Sequence, residues 1–340
     1  MKFRALLCLF LILIITGCSY DCECCGKCKE VFPTEIAATA EPVTEPVTKI
    51  ENNAGDEFDI LEIYVFDIGK ADAILIMTEN YKVMIDAGEN RHGLELVNAL
   101  YDKNISEIDY LILTHFHKDH IGGAHVIIDY LDVKEVIVAN YSKESRHVER
   151  LVSAVNNAGL ESIVLKDTLR FMLDNAEFIL YPAQSEYHHY AADNNIDEED
   201  DDYDEDNGEE EDENEETDVT NENNFSIVIS VSHGSNSFLF TGDAKARRLR
   251  EILAESEIIN TDFNFLKVPH HGRHNRRSVE FINVIRPAYA VITCSVDNPP
   301  DRRVTAALEN IRAEIFLTQD GGVYAKSDGE KLIVEHRSFN

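Results

Sequence analysis

The residues best suited to do chemistry lie together between positions 115 and 120. They read H-x-H-x-D-H and place four candidate metal ligands, His115, His117, Asp119 and His120, within six residues. Neutral imidazoles with a carboxylate form the ligand set of catalytic zinc sites, which keep one position open for water. His115 and His117 can reach one metal, and Asp119 with His120 could hold a second. The alternative, a polar loop merely rich in histidine, does not explain the Gly122-Gly123 pair directly behind.

Apolar segments must position this cluster. A strand-like run over residues 109–113 precedes it and Gly122-Gly123 opens a predicted helix, so the cluster follows the carboxyl end of a buried strand. α/β proteins usually place their chemistry there. Two later apolar segments, over residues 237–241 and 265–268, also end in ligand-type residues. Because strands and helices recur in both halves, the sequence predicts two similar sheet layers packed face to face, with helices outside.

The first residues predict where the chain works. A charged start precedes an apolar run over residues 5–15, which is too short to span a bilayer and is typical of a secretory signal. The run closes with Ile15-Thr16-Gly17-Cys18, which resembles a bacterial lipobox. By that resemblance residues 1–17 are removed and Cys18 is lipidated, which anchors the chain at the extracytoplasmic face of the bacterial cell membrane. An uncleaved membrane anchor is the alternative.

Residues 18–57 are typical of a spacer. The cluster from Cys22 to Cys28 lacks a second C-x-x-C half or a distant histidine, so an oxidised or lipid-modified patch is favoured over a soft-metal site. Pro, Thr, Glu and Ala then dominate up to about residue 55, as in an extended linker. Only Cys294 lies beyond residue 30, so the domain predicted over residues 58–340 does not depend on disulfides.

The chain is strongly acidic, with a net charge of −33. Residues 193–224 form an acidic low-complexity segment without Lys or Arg, which predicts a disordered surface insertion because such a run repels itself and cannot bury a core. Loose calcium binding or mimicry of a polyanion are its functional alternatives. A protein that coats DNA through a basic face is disfavoured. An enzyme that touches phosphodiesters only at a metal site is still allowed.

The motifs in this order resemble those of the metallo-β-lactamase superfamily, and within it the hydrolase domain of the ComEC-type competence proteins and their stand-alone relatives. The resemblance covers roughly residues 58–336. It implies an α/β fold (α+β by some schemes), a four-layer αβ/βα sandwich with a metal site between its sheets. The elements that carry it are Val65-Phe66-Asp67-Ile68-Gly69, Asp72-Ala73-Ile74-Leu75-Ile76, Ile85-Asp86-Ala87-Gly88, the H-x-H-x-D-H stretch, Asn223-Asn224-Phe225-Ser226, Phe240-Thr241-Gly242-Asp243, Leu266-Lys267-Val268-Pro269-His270-His271-Gly272 and Thr318-Gln319-Asp320-Gly321.

The resemblance also implies a ligand set for two metals. His115 and His117 would bind the first metal, Asp119 and His120 the second, and Asp243 would bridge them. His270 would complete the second site, with His271 as the competing choice.

The chain departs from the superfamily pattern at one ligand. Members with a complete site have another histidine before the Gly-Asp strand, where this chain has Asn223-Asn224, so Asn224 is a candidate ligand. An amide oxygen binds zinc more weakly than imidazole does. The first metal is therefore expected to be held loosely or to be manganese. The expected cofactor is zinc, as one or two divalent ions, with manganese as the alternative.

The chemistry implied is hydrolysis by metal-activated water, with Asp119 or Asp243 holding the water and taking its proton. The expected substrate is a phosphodiester, with DNA favoured by the resemblance, and the expected partner is the membrane through the lipid anchor. His271, Arg273 and His274 could contact a phosphate. Because the acidic chain repels polyanions, a small phosphodiester, a choline-type wall ester or a lactone is also considered. A different class is a non-catalytic metal-binding or interaction lipoprotein that uses the acidic insertion.

Overall fold

The computed structural model describes residues 59–184 and 221–338. Within these ranges the chain forms fifteen strands and eight α-helices. The strands are β1 (Leu61–Val65), β2 (Ile74–Met77), β3 (Lys82–Ile85), β4 (Glu107–Leu113), β5 (Asp132–Ala139), β6 (Ser162–Leu165), β7 (Leu169–Leu173), β8 (Ala176–Tyr181), β9 (Val228–His233), β10 (Asn236–Phe240), β11 (Phe265–Lys267), β12 (Tyr289–Ile292), β13 (Glu314–Leu317), β14 (Val323–Ser327) and β15 (Leu332–His336). The α-helices are α1 (Gly93–Asp102), α2 (Lys118–Ile121), α3 (Ala124–Tyr130), α4 (Arg146–Asn157), α5 (Ala246–Ala254), α6 (Ser256–Ile259), α7 (Ser278–Ile285) and α8 (Arg302–Asn310).

An eight-stranded sheet has the order β15-β14-β1-β2-β3-β4-β5-β6. Strands β1, β2 and β3 pair antiparallel. Strands β3 to β6 are parallel. Strand β4 lies inside this parallel part, and its last three residues, Leu111, Ile112 and Leu113, are fully buried, as expected for a strand that is covered on both faces. The H-x-H-x-D-H stretch therefore begins at the buried carboxyl end of a central strand.

A seven-stranded sheet has the order β13-β12-β11-β10-β9-β8-β7. Strands β9 and β10 form an antiparallel hairpin, and β10 to β13 run parallel, so their carboxyl ends share one edge. Leu239 and Leu266 of this sheet join one hydrophobic core with Leu249 of α5, Phe281 of α7 and Leu308 of α8. Two mixed sheets with helices against them form the α/β sandwich predicted from the repeated strand and helix pattern.

Strands β7 and β8 were not predicted. Strand β7 lies at the edge of its sheet, and Arg170 and Met172 on it are exposed, so its sequence lacks a buried apolar run. Its partner β8 carries Phe178, Leu180 and Tyr181 into the core. In β7 half-buried residues alternate with exposed ones, and this period of two is the signal that could have found the strand.

The predicted end of the acidic insertion needs correction. Its last residues, which were expected to be disordered, contribute to a short 3-10 helix over Glu222–Phe225. The side chain of Asn221 caps this helix by accepting a hydrogen bond from the backbone N of Asn223 at 3.1 Å. Phe225 is buried with its ring 5.5 Å from that of Tyr141, so apolar burial holds the segment in the domain. Residues 193–220 lie outside the described ranges.

The predicted signal peptide, the lipidated Cys18, the Cys22 to Cys28 cluster and the linker also lie outside the described residues. Among the residues that the structure does describe, none of the helices combines the length and the hydropathy that a membrane span requires.

Candidate metal centre

The predicted ligands lie on loops that leave strands of both sheets. His115, His117, Asp119 and His120 follow β4 of the eight-stranded sheet, and their loop continues into the single turn of α2. Asp243 follows β10 of the seven-stranded sheet, and the Pro269–Gly272 turn follows β11. The structure brings residues from the three loops together, so one centre is built from both sheets.

Four of these residues form a compact group. Potential ligand atoms of Asp119, His120, Asp243 and His271 all lie within 4.8 Å of one another. Oδ2 of Asp243 lies 3.1 Å from Nε2 of His120 and 3.2 Å from Nε2 of His271. Nε2 of His271 lies 3.3 Å from Oδ2 of Asp119. Two imidazoles and two carboxylates that converge in this way have the donor chemistry of a site for a divalent cation.

His115 and His117 lie directly beside this group. The ring of His115 is 4.1 Å from that of His120 and 4.7 Å from that of His117, measured between centroids. The Nε2 atoms of His115, His120 and His271 are buried, and within the described residues none of them makes a hydrogen bond of good geometry. A buried polar atom without a hydrogen bond is costly unless another ligand satisfies it. These atoms therefore fit a metal at the centre.

The opposite ring nitrogen of each imidazole faces a fixed polar group. Nδ1 of His120 lies 2.8 Å from Oδ2 of Asp86, and Nδ1 of His115 lies 3.1 Å from Oγ1 of Thr114. Nδ1 of His271 lies 3.0 Å from Oγ1 of Thr293. His117 is turned the other way, with Nε2 at 3.8 Å from Oε2 of Glu222. Such outer partners set which nitrogen carries the proton and leave the other for a metal.

The charges of the centre shift the pKa values of its members in opposite directions. Burial lowers the pKa of His120, but the carboxylates of Asp243, Asp86 and Asp119 outweigh it and hold that pKa well above its usual value. Burial raises the pKa of Asp119, and the neighbouring His120 and His271 reverse this and hold it well below its usual value. Burial keeps the pKa of His115 well below its usual value, which favours the neutral imidazole that a metal needs.

Comparison with known protein families shows which superfamily this chain belongs to. A family model described as the metallo-beta-lactamase superfamily matches residues 67–295, which is more than half of the chain. The chain belongs to this superfamily. The matched range contains the H-x-H-x-D-H stretch, Asp243 and His271, so the site described above lies within the family domain.

Two curated proteins are similar to this superfamily member over most of its length. ComE operon protein 3 of Bacillus subtilis (strain 168) is 24% identical over 284 residues, which cover 77% of this chain and 32% of that protein. Recombination protein 2 of Haemophilus influenzae is 23% identical over 269 residues, which cover 77% of this chain and 28% of that protein. The chain thus spans only about a third of the length of these relatives. A solved metallo-beta-lactamase fold protein, YhfI from Bacillus subtilis, is 10% identical with a TM-score of 0.46, over 82% of this chain and all of that one.

The structure places two histidines differently that the sequence could not rank. His271, not the preferred His270, joins Asp119, His120 and Asp243. Both residues have positive φ, 50° for His270 and 53° for His271, so the tight turn after β11 sends consecutive side chains in different directions. Nε2 of His270 lies 3.4 Å from Nδ2 of Asn223. His271, and not His270, is therefore the histidine of this turn that lies in the compact group.

The asparagine that replaces the missing histidine also has a different placement from the one predicted. Oδ1 of Asn224, the candidate ligand, accepts a hydrogen bond from the backbone N of Arg248 at 3.2 Å, in the first turn of α5. This oxygen is thus used to hold a helix. The neighbouring Asn223 is also buried, and its Oδ1 makes no hydrogen bond within the described residues.

Sequence reasoning missed two buried charges beside the centre, Asp72 and Lys267. Both are essentially inaccessible to solvent. Their side chains form an ion pair, and Oδ1 of Asp72 accepts a hydrogen bond from Oγ1 of Thr293 at 2.6 Å. A lysine within an otherwise apolar strand is the signal that could have found them, because lysine is almost never fully buried unless it is paired.

Proposed function

We propose that this chain is a divalent-metal-dependent phosphodiesterase, held by a lipid on Cys18 at the extracytoplasmic face of the bacterial membrane. The observation that carries the hydrolytic part is the compact group of Asp119, His120, Asp243 and His271, with the buried Nε2 of His115 beside it. Membership of the metallo-beta-lactamase superfamily supports the same reaction class. The lipobox-like Ile15-Thr16-Gly17-Cys18 supports the anchor.

In such a reaction some residues of the chain would hold the cation and another would take the proton of the attacking water. A bound divalent cation would supply an activated water and would stabilise negative charge on the leaving oxygen. Asp243, His120 and His271 are the residues to hold the cation, because their side chains are 3% exposed or less. The side chain of Asp119 is 16% exposed. Asp119 is therefore the ligand best placed to face substrate and to take the proton of the attacking water.

The donor set supports zinc, with manganese as the alternative ion. Imidazole is a preferred zinc donor, whereas carboxylates also suit manganese. His115 and His117 present two imidazoles side by side, and their third partner in the family pattern, a histidine, is absent from this chain. A first metal would consequently be held less tightly than a second metal at Asp119, His120, Asp243 and His271.

DNA is the phosphodiester that the relatives favour. One of the similar proteins is named a recombination protein, and recombination acts on DNA. The net charge of −33 opposes a long polyanion. A small phosphodiester is therefore the substrate for the first assay, and DNA is the substrate for the second.

The test uses purified full-length chain, metal analysis by mass spectrometry and hydrolysis of bis-p-nitrophenyl phosphate with zinc or manganese. We expect bound divalent metal and turnover, and we expect Asp119→Ala and His120→Ala to lower kcat/KM by about a thousandfold or more, because each removes a ligand of the same centre. His336→Ala is the matched control. This exposed histidine lies in β15 and contacts the carbonyl oxygen of Gly321, so its loss should change kcat/KM by no more than about twofold.

The same experiment distinguishes the phosphodiesterase from the alternative, a metal-binding or interaction lipoprotein. Wild-type chain with no more than trace metal and no turnover with either ion contradicts the phosphodiesterase. Bound metal without turnover on any phosphodiester favours a metal-binding or interaction lipoprotein instead, in which the asparagine at the position of the missing histidine marks a site that no longer catalyses.

A further inference from the structure

A second group of potential ligands lies directly behind the centre. Asp72, Asp86 and His120 offer ligand atoms within 4.8 Å of one another, and all three residues are buried. Judged by these three residues alone, the group would be a second candidate metal site. However, the side chain of Lys267 ends in the same place.

Lys267 makes all of its close polar contacts inside this region. Its ammonium forms an ion pair with Oδ2 of Asp72, lies 3.6 Å from Oδ1 of Asp243 and lies 3.3 Å from the carbonyl oxygen of Gly242. The residue is fully buried at the end of β11, four residues before His271. A buried ammonium persists only where carboxylates compensate its charge.

Through Asp72, Lys267 is connected to two of the metal-binding histidines. Oδ1 of Asp72 lies 3.6 Å from Nδ1 of His271 and accepts the hydroxyl of Thr293, whose Oγ1 lies 3.0 Å from the same Nδ1. Oδ2 of Asp72 lies 3.9 Å from Nδ1 of His120. On the other side, Lys267 faces Oδ1 of Asp243, so that Oδ2 is the oxygen turned toward both histidines.

We propose that Lys267 is the resident cation of the Asp72, Asp86 and His120 group, and that it acts on the metal centre through its charge beside Asp72 and Asp243. The ammonium takes the place of a metal behind the centre. It compensates part of the negative charge of the carboxylates of Asp72, Asp86, Asp119 and Asp243. As a result, the exchangeable metal binds next to Asp119 and His271 and not next to Asp72 and Asp86. This inference rests on the proposed metal centre but not on the substrate.

The experiment is a double-mutant cycle of Lys267→Met and Asp72→Asn, in which each protein is unfolded by heat as metal-free chain and with saturating manganese. In Lys267→Met the Asp72 carboxylate stays buried without its cation, so we expect the metal-free melting temperature to fall by about 10 °C. The variant lacks its own cation, so manganese should bind about tenfold more tightly or better, and its stabilising shift should exceed that of the wild type. In the double variant Asp72 no longer needs a cation, so we expect a higher metal-free melting temperature than in Lys267→Met and a manganese shift close to that of the wild type.

Arg248→Met is the matched control. Arg248 is a fully buried cation of the same domain that pairs with Glu251 at 2.9 Å and donates to the carbonyl oxygens of Ser226 and Tyr181. Its loss should lower the metal-free melting temperature and leave the manganese shift at the wild-type value. A merely structural role for Lys267 predicts the same pattern, so a manganese shift in Lys267→Met equal to that of the wild type overturns the proposal.

The cycle remains decisive if Lys267→Met does not accumulate as folded chain. Recovery of folded protein in the double variant is then the expected result, and failure of both variants contradicts the assignment, because the cost would not come from the unpaired carboxylate. The readouts need no substrate. A chain that passes this test and hydrolyses nothing overturns the phosphodiesterase alone, and a wild type that binds neither manganese nor zinc overturns the metal centre itself.

Discussion

At the scale of single residues, the surroundings shift the pKa values of the histidines of the centre in different directions. Burial lowers the pKa of His271, but Asp243, Asp119 and Asp72 outweigh burial and raise it. For His120 the carboxylates of Asp243, Asp86 and Asp119 have the same effect. The raised pKa values favour the protonated imidazole of both residues in metal-free protein, and a metal can bind only after that proton leaves. We expect metal binding to release protons at pH 7, and we expect affinity to rise with pH until it passes the raised pKa values. Calorimetry in two buffers of different ionisation enthalpy measures the release, and binding without proton release at pH 7 would contradict it.

Substitution of Asp86 tests whether the orientation of His120 matters for metal binding, because it leaves His120 itself in place. Its carboxylate accepts hydrogen bonds from the backbone N and Oγ1 of Thr114, both at 2.8 Å, and contacts Nδ1 of His120. Its φ of 58° is a conformation that asparagine tolerates well, so Asp86→Asn should fold. The amide weakens the hold on His120, and we expect zinc affinity to fall about 10- to 100-fold in a chelator-competition titration.

The control for this change is Asp174→Asn. Asp174 also has positive φ, at 49°, and also accepts side-chain hydrogen bonds, from Thr78 at 2.7 Å and Asn80 at 2.9 Å. It lies in the turn between β7 and β8, so its substitution should leave zinc affinity unchanged. Equal zinc affinities for Asp86→Asn and the wild type would show that Asp86 does not position His120.

At the scale of elements, the sequence could predict which strands end in ligands but not how their turns aim them. Apolar runs before His115, Asp243 and His270 located β4, β10 and β11, because a buried strand needs a continuous apolar sequence. The choice between His270 and His271 depends on backbone angles in a turn of consecutive residues with positive φ. Sequence spacing carries no such information. The same limit applies to Asp72, whose partner Lys267 is 195 positions away in the chain.

Substitution of Gly272 tests whether the conformation of this turn positions His271. Its φ is +74°, and a Cβ there would lie 2.7 Å from Cβ of Pro300 and 2.9 Å from Cγ2 of Ile292. Gly272→Ala must therefore move the turn that carries His271. We expect a loss of about 2–5 kcal/mol in the free energy of unfolding, from left-handed strain together with overpacking, and weaker zinc binding by about tenfold or more.

Gly159→Ala separates backbone strain from displacement of the ligand. Gly159 follows α4 with φ of +70°, and nothing lies within 4 Å of the Cβ that would be added. Urea unfolding should show a cost of about 1–2 kcal/mol, and zinc affinity should stay at the wild-type value. If Gly272→Ala costs no more than Gly159→Ala and binds zinc equally well, the turn does not position His271.

At the scale of the whole molecule, alternating strand and helix patterns were enough to predict two packed layers. Short strands of period two pair antiparallel, and apolar runs separated by helices pair parallel, so the local pattern restricts the topology. The pattern was weakest at β7, an edge strand with exposed Arg170 and Met172. It was misleading next to the acidic segment, where composition hid the buried helix that begins at Glu222. Composition predicts the behaviour of long segments better than it predicts their boundaries.

The acidic segment itself is a test of how total charge governs access to the centre. Removing residues 193–220 takes away 18 carboxylates and neither Lys nor Arg, from a chain of net charge −33. With DNA at low salt we expect kcat/KM to rise at least about fivefold, because repulsion of a polyanion slows its association. At 1 M salt the Debye length is about 3 Å, so the difference should vanish. With bis-p-nitrophenyl phosphate, which carries a single charge, the two chains should agree within about twofold.

A neutral replacement of the same length separates charge from chain length. Residues 193–220 are exchanged for Ser, Asn and Gly, which keeps the spacing to Glu222 and its contact with His117. Because the effect is electrostatic, this variant should behave like the deletion, with the same loss of salt dependence toward DNA. If both variants instead lose metal-dependent hydrolysis while still binding zinc, the acidic segment contributes to the reaction itself and the electrostatic account is wrong. If the wild type hydrolyses no phosphodiester and both variants lose binding to a partner, the interaction lipoprotein is the better account of the molecule.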